Sequence, residues 1–435
     1  MNKILKGILL GLIGLALLLG GFSGGFIVGH TLPFGNLGFL PTTQLPSSIA
    51  PTTSPGAQSA TPQDLQTLFK PFWETWQLIH TEYVNQPVDD TKLMEGAING
   101  MMQSLGDPHS TYLDPKTFQE WNTQLSGTYG GIGAYVDTKG SWLTVTSLIP
   151  DSPAQKAGLK AGDQIVGVDG QNMTGIDPET VRQKVIGPVG TTVHLSIQRS
   201  GQSAPLQIDI VRAQIIIPSA AGKMLGNNIA YVQVTTFGEN TTKELTSTLA
   251  TLMAQHPKGL ILDLRDNGGG YTDVAVQVVS QFVDHGAVYY EQNRDGTKKE
   301  YDVIPGGLAT NIPMVVLMNA NTASSSEITA GALQDYGRAK LVGTVSYGKG
   351  SVQNITPLSN NEGAAHITIA HWLTPHGTLI DNKGLTPDVF VQITADDVNA
   401  GRDPQLDAAV QTLMNMINGQ PIPTSMPTAT PTPVP

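Results

Sequence analysis

The sequence predicts an α+β multidomain protein: a small N-terminal helical module, then a β module with one or two short helices, then an α/β core with parallel strands. Three observations carry this. Apolar residues recur at helical spacing between Asp64 and Trp121, glycine-punctuated short strands run from Gly130 to about Arg212, and buried strand runs alternate with helical stretches from Asn228 onward. The 435 residues leave room for two or three domains with cores of their own. Boundaries are expected at 1–30, 31–62, 63–124, 125–213, 214–418 and 419–435.

The first segment is a membrane anchor by composition. Lys3 and Lys6 precede an uncharged stretch, Gly7 to Val28, whose roughly 22 residues reach across a hydrocarbon core of about 30 Å at about 1.5 Å per residue. It is longer than a signal-peptide core and lacks a small-residue cleavage site, which favours an uncleaved signal anchor over a removed signal peptide. The two lysines place the short N-terminal end in the cytoplasm and the remainder outside. Thr31 to Pro62 holds no acidic or basic residue and is rich in Pro, Thr, Ser and Gly, the composition of a stalk. The tail Gln420 to Pro435 has a similar composition and reads as disordered.

In the helical module Leu68, Phe72, Trp76, Ile79 and Tyr83 share one face, as do Leu93, Ala97, Ile98, Met101 and Met102. Pro87 and Asp89 mark the turn between them, Gly106-Asp107-Pro108 ends the second helix and Pro115 begins a third. The aromatics are expected to be core. In the β module, strands are expected at Trp142 to Ile149, Ile165 to Val168, Thr192 to Gln198 and Leu206 to Val211, with a helix near Pro178 to Val185 and a shorter one at Ser152 to Gly158. In the last module Gly259 to Leu264 is an apolar strand that ends on Arg265-Asp266-Asn267-Gly268-Gly269-Gly270, and Val274 to Val283 reads as a helix. Met314 to Met318 is a second such strand, and Leu341 to Gly343 a third. Parallel pairing with right-handed crossovers follows, and sites in such sheets lie beyond the carboxyl ends of the strands.

Composition removes several chemistries. A net charge of -11 without a basic patch argues against nucleic-acid binding, and the absence of cysteine excludes thiolate catalysis and Cys-ligated zinc. His366 and His371, five apart on an apparent strand, fall on opposite faces and make a poor metal site, so neither metal nor cofactor is expected.

Two segments stand out chemically. Asn321 to Asp335 (N-T-A-S-S-S-E-I-T-A-G-A-L-Q-D) brings serines to a helix start behind the strand Met314 to Met318. Ser324 with Glu327 is a capping box, which needs no catalytic role. Tyr347-Gly348-Lys349-Gly350-Ser351-Val352-Gln353 offers a lysine in a glycine turn. Gly343 to Lys349 approaches a P-loop, but Gly350 stands where a Ser or Thr is required and a strand follows instead of a helix, so phosphate binding is lost. An exposed lysine in a turn is the plain alternative.

Gly131-Ile132-Gly133-Ala134 resembles the carboxylate-binding loop of PDZ domains, and Ala157-Gly158-Leu159 through Gly162-Asp163-Gln164-Ile165 to Asp169-Gly170 resembles their glycine signature. Such glycines let backbone N–H groups converge on a chain-terminal carboxylate. The order D-L-R-x-N-x-G-G, then N-x-x-[ST]-A-S-x-S-E-I-x-A-G-A-L-Q-D, then G-x-x-x-x-G-K-G-x-V-Q closely resembles the C-terminal processing peptidases, or tail-specific proteases. The likeness extends to Asp107-Pro108-His109-Ser110 and to Gly384-Leu385-Thr386-Pro387-Asp388, and covers Asp64 to about Met416.

That resemblance implies Ser324 as nucleophile, Lys349 as general base and Gln353 as the residue orienting the base. The oxyanion would be held by N–H groups of Ser325 and of a glycine in Gly268 to Gly270, with Gly269 and Gly270 the candidates. The pattern departs at Thr322, which keeps a hydroxyl available to assist the lysine, and at Ser325. The implied partners are polypeptides with free C-termini ending in apolar or small residues, with homo-oligomerisation allowed. The implied protein is a membrane-anchored extracytoplasmic serine endopeptidase, and the alternative is an inactive PDZ scaffold tethering exported partners.

Overall fold

The structure is a computed structural model that describes residues 62–422. The expected anchor at residues 7–28, the expected stalk but for its last residue and most of the expected disordered tail lie outside the described residues, and among those described no helix is long and apolar enough to cross a membrane. The described chain forms two compact units, 62–106 and 107–422.

The first unit holds helices Pro62–Leu68, Lys70–Glu82 and Asp90–Gln103. Asp89 caps the last of these, its carboxylate accepting from the Lys92 N–H. The aromatics do not form the expected core. Phe72, Trp73 and Trp76 touch one another edge-on or tilted, Trp76 stacks on His80, and the helix that carries them has no buried residue. Three short helices offer too little surface to enclose so many rings. The expected third helix, Pro115–Ser126, belongs instead to the second unit, where Trp121 and Leu125 are buried with Leu113, Ile355 and Ala364.

The β module is an antiparallel sheet in the order Ala134–Asp137, Leu143–Leu148, Gln164–Val168, Thr192–Gln198, Leu206–Val211. Its buried face alternates along the strands, as in Val193, Leu195 and Ile197, over a core shared with Leu143, Val145, Ile165 and Val181. Helices Pro153–Lys156 and Pro178–Val185 begin at Ser152 and Asp177 caps with proline just inside, which is why both were legible. Thr128–Gly131 and Ala213–Ile216, the segments that enter and leave the module, pair antiparallel with each other and make its neck.

The core sheet has six strands in the order Ala220–Leu225, Ile229–Val234, Gly259–Asp263, Met314–Met318, Ala339–Gly343, Val389–Phe390. Only the first pair is antiparallel. The two central strands are buried throughout because helices cover both faces. Leu260, Leu262, Met314 and Val316 face the helices Thr241–Met253, Thr272–Val279 and Ser325–Asp335; Ile261, Val315 and Leu317 face the helix Pro404–Ile417 through Ala409 and Leu413. A second, antiparallel sheet, which the sequence reading lacks, gathers Thr111–Leu113, Ala287–Asn293, Lys298–Asp302 and Ser351–Pro357 around the long strand Ala364–Leu373. It carries the segment that begins just after Lys349.

Candidate active site

Ser324 lies where the chain turns from the central strand Met314–Met318 into the helix Ser325–Asp335, with φ 54° and ψ −119°. A non-glycine residue there costs about 1–3 kcal/mol and persists only when its surroundings over-determine it. They do. The Thr322 hydroxyl donates to the Leu264 carbonyl and accepts from the Asn319 N–H, both at 2.9 Å. The Ala323 N–H and the Ser326 hydroxyl both donate to the Asn267 carbonyl, and the Ser325 hydroxyl donates to the Gly270 carbonyl at 2.9 Å. The serine run thus pins the turn to the glycine loop. The Thr322 hydroxyl thus gives its proton to the Leu264 carbonyl, and no hydrogen bond joins it to Lys349.

Ser324 and Glu327 form the predicted capping box, with the Ser324 N–H donating to Glu327 Oε2 at 2.9 Å. The same oxygen accepts the Lys349 N–H at 2.9 Å, so the backbones of Ser324 and Lys349 meet on one atom. Glu327 Oε1 accepts from the Gly348 N–H at 2.7 Å and from the Ser346 hydroxyl. Every partner of this fully buried side chain donates to it, and three of the four are backbone N–H groups that cannot accept a proton in return. Burial pushes its pKa up, against those four bonds. Sequence reasoning assigned it only as a cap. The available signal was an acid in the first turn of a helix whose next six residues are Ile, Thr, Ala, Gly, Ala and Leu.

Lys349 is 2 % exposed and Ser324 1 %. Burial pushes the Lys349 pKa down to about 7, although Glu327, Asp107 and Asp381 nearby favour its charged form. Its Nζ donates to Gln353 Oε1, and its carbonyl accepts from the Trp372 indole at 2.8 Å. The Gln353 amide donates to Ser351 Oγ at 2.7 Å and Thr368 Oγ1 at 3.0 Å. Ser324 Oγ and Lys349 Nζ do not hydrogen-bond each other here, which is common before substrate tightens a site.

Of the predicted oxyanion donors, the Gly269 N–H is engaged by Asn267 Oδ1 at 2.9 Å. The N–H groups of Gly270 and Ser325 donate to no protein acceptor among the described residues. A Cβ on Gly269 would sit 2.9 Å from both Ser324 Cβ and the Ser325 nitrogen, so the glycine lets the loop lie against the serine. Arg265, paired with buried Asp263 and with Asp403, the N-cap of the helix Pro404–Ile417, anchors the loop at its start.

The predicted tail-binding loop lies at the edge strand of the β module. The carbonyls of Ile132 and Gly133 accept from Ala154 and Ile149, while the N–H groups of Ile132 and Gly133 face no protein acceptor among the described residues. Gly131 is held in the neck opposite Ala213, and Ala134 starts the edge strand opposite Leu148. Gly133 has φ 77°, and a Cβ there would meet Ser152 Cβ at 2.5 Å. His366 and His371 do fall on opposite faces, one buried and one exposed.

Comparison with known proteins agrees with this organisation. The profile of Peptidase family S41 matches residues 228–391, that of a PDZ domain residues 144–199, and that of the Activating protease CtpB N-terminal domain residues 26–117. The chain is 39% identical over 344 residues to a carboxy-terminal-processing protease of Bartonella bacilliformis, covering 77% of this chain and 78% of that one. It is 35% identical over 324 residues to the carboxy-terminal processing protease CtpB of Bacillus subtilis, covering 73% and 67%. A solved structure of a putative S41 protease from Bacteroides fragilis matches in fold with a TM-score of 0.50 at 14% identity, over 79% of this chain and 96% of that one.

Proposed function

We propose, from the premise that the chain belongs to peptidase family S41 and is a serine-type C-terminal-processing peptidase with a PDZ domain, that it cleaves polypeptides by a Ser324/Lys349 dyad. The observation that carries this is the burial of Lys349. A lysine at its ordinary pKa is protonated at neutral pH and useless as a base; this one sits near 7.

In the reaction Lys349 Nζ takes the Ser324 proton as Oγ adds to the peptide carbonyl. The N–H groups of Ser325 and Gly270 receive the oxyanion; one such donor is worth roughly 3–4 kcal/mol. Collapse breaks the C–N bond, and the leaving amine takes its proton from the Lys349 ammonium. Water then adds to the Ser324 ester, again giving a proton to Lys349, and collapse returns that proton to Ser324 and releases the new carboxyl group. Gln353 fixes one Lys349 N–H so that the nitrogen lone pair is left for the serine.

Substrates enter this reading by their C-termini. A tail adds as a strand beside Ala134–Asp137, the sheet's outer strand, with its carboxylate on the Ile132 and Gly133 N–H groups. Tails ending in apolar or small residues are the class taken. Gly133→Val closes the loop against Ser152 and is expected to raise KM about tenfold or more for such peptides, with kcat much less affected, since uniform binding is what is lost. The test is mass spectrometry of products from peptides that differ only at their C-termini. Equal cleavage of amidated and free tails would remove the tail-reading role.

Location is the remaining part of the reading. Lys3, Lys6 and the uncharged stretch from Gly7 to Val28 support a cell-membrane anchor with the catalytic part outside. Intact cells treated with an added protease should lose the 107–422 unit; full protection of that unit, with its loss on lysis, would reverse the orientation.

A further inference from the structure

Lys349 has strong physical reasons to leave the site. Its charged form is drawn toward water on a flexible four-carbon stem, both its neighbours are glycines, and Tyr347, two residues before it, is half exposed. Neither Gly348 nor Gly350 has a side chain with which to pack the turn in place. What keeps the amine inside must therefore act on the main chain.

All four polar main-chain groups of Lys349 and Gly350 are taken. The Lys349 N–H donates to Glu327 Oε2 at 2.9 Å and the Gly350 N–H to Asp381 Oδ1 at 3.0 Å. Both carbonyls go to a single residue: the Trp372 indole donates to the Lys349 oxygen at 2.8 Å, and the Trp372 N–H to the Gly350 oxygen at 2.9 Å. The second bond carries the pairing of Ser351–Pro357 with Ala364–Leu373 one residue beyond its last partners, Ser351 and His371. The first lies outside that ladder, where a side chain reaches the carbonyl of the lysine itself. An indole nitrogen can only donate, so the direction of this bond is not open to reversal. Trp372 is a firm point to hold from: it is 1 % exposed, belongs to the main core, and pairs on its other side with Glu291 of the strand Ala287–Asn293.

We propose that Trp372 is a positioning residue of the active site: its indole and its main chain clamp the Lys349–Gly350 turn to the antiparallel sheet and so keep the Lys349 amine in the dry interior beside Gln353. The inference rests on the Ser324/Lys349 reading. Five titratable groups face that amine: Glu327 from the helix Ser325–Asp335, Asp107 and His109 from the segment before Thr111–Leu113, His366 from the long strand, and Asp381 from the loop after it. The three carboxylates favour the charged lysine and burial opposes it, so the base stays neutral only as long as the turn is held in.

The experiment is the pH dependence of kcat for a peptide with an apolar C-terminus, measured on the full chain and its variants. In Trp372→Phe a ring stays and the donor goes. The Lys349 amine gains access to water, which favours its charged form, so the acid limb of the profile should move up by about 0.5–1 pH unit and kcat at pH 7 should fall about fivefold or more, with KM unchanged. Replacing the Trp372 indole by benzothiophene, which keeps the shape and lacks only the N–H, should move the limb the same way; it separates the lost bond from the smaller ring, and it decides if Trp372→Phe does not fold by thermal melting. Asp381→Asn is a check of opposite sign. It keeps an oxygen for the Gly350 N–H and removes a negative charge that favours charged Lys349, so its limb should move down. An acid limb at the wild-type position in the benzothiophene protein overturns the clamp, whatever becomes of kcat, because a merely structural loss lowers the amount of active enzyme without changing the pH at which its base titrates. The two readings fail separately: that unmoved limb beside a downward shift in Asp381→Asn removes the clamp alone, whereas undiminished hydrolysis by Ser324→Ala or Lys349→Ala removes the dyad.

Discussion

Lys349→Met is expected to abolish peptide hydrolysis and at the same time make the folded protein more stable. The two effects share one cause. Lys349 has a folded-state pKa of about 7 because burial disfavours its charge, whereas in the unfolded chain it is near 10.4. Between those values the unfolded chain binds a proton that the native state does not, so stability rises with pH across that window. At pH 7 holding the lysine in place costs roughly 4 kcal/mol. Methionine removes the cost and fills similar space, but leaves Gln353 Oε1 without its donor, a loss of about 1–3 kcal/mol. A net gain of about 1–3 kcal/mol in denaturant unfolding should therefore accompany a fall in kcat of about 10⁴-fold or more.

Ser324→Ala should lose as much activity with no comparable gain, and casein incubated with it should remain intact. The wild-type kcat profile should show an acid limb centred near pH 7, falling tenfold per unit below it, since only neutral Lys349 accepts a proton. Hydrolysis by either variant at the wild-type rate, or an acid limb near pH 10, would refute the dyad.

The nucleophile and its base were legible in the sequence because each sits in a local pattern with a mechanical meaning. A buried strand followed by small and hydroxyl residues gives a helix start, and Ser324 occupies it; a glycine-flanked lysine before an alternating strand gives Lys349, with Gln353 four residues on. The parallel core was legible for the same reason, its two central strands being continuous apolar runs. What was not legible is what depends on distant pairing. Ala364–Leu373 reads as one strand, but nothing local says that Thr111–Leu113 and Ser351–Pro357 lie beside it. That pairing brings Asp107 and Ser110 within a few hydrogen bonds of Lys349. The aromatics of Lys70–Glu82 failed in the opposite way: their helical spacing was right, but periodicity tells which face is apolar and not whether anything covers it.

Glu327→Gln should be nearly as damaging to hydrolysis as loss of the dyad, without touching either catalytic side chain. The carboxylate has four donors, two on each oxygen: the Ser346 hydroxyl and Gly348 N–H on one, the Ser324 and Lys349 N–H groups on the other. Glutamine is the same size but must turn an NH2 toward one pair. If it faces the backbones of Ser324 and Lys349, two buried donors oppose two others and the atom on which nucleophile and base meet is lost. If it faces the other pair, the Gly348 N–H is left unpaired and the Ser346 hydroxyl, which already accepts the Leu385 N–H at 2.7 Å, must reverse to accept from the amide and leave its own proton without the carboxylate. Either way about two buried groups go unsatisfied at roughly 1–3 kcal/mol each, so unfolding stability should fall by about 2–6 kcal/mol. The strained Ser324 backbone, no longer over-determined, relaxes away from the attacking geometry, and a displacement of about 1 Å is worth about 100-fold in rate. Measuring kcat and the unfolding midpoint together separates this from a simple stability loss: kcat should stay depressed well below the melting temperature of the variant. A Glu327→Gln protein that turns over at the wild-type rate would mean that the shared oxygen does not hold Ser324 and Lys349 in register.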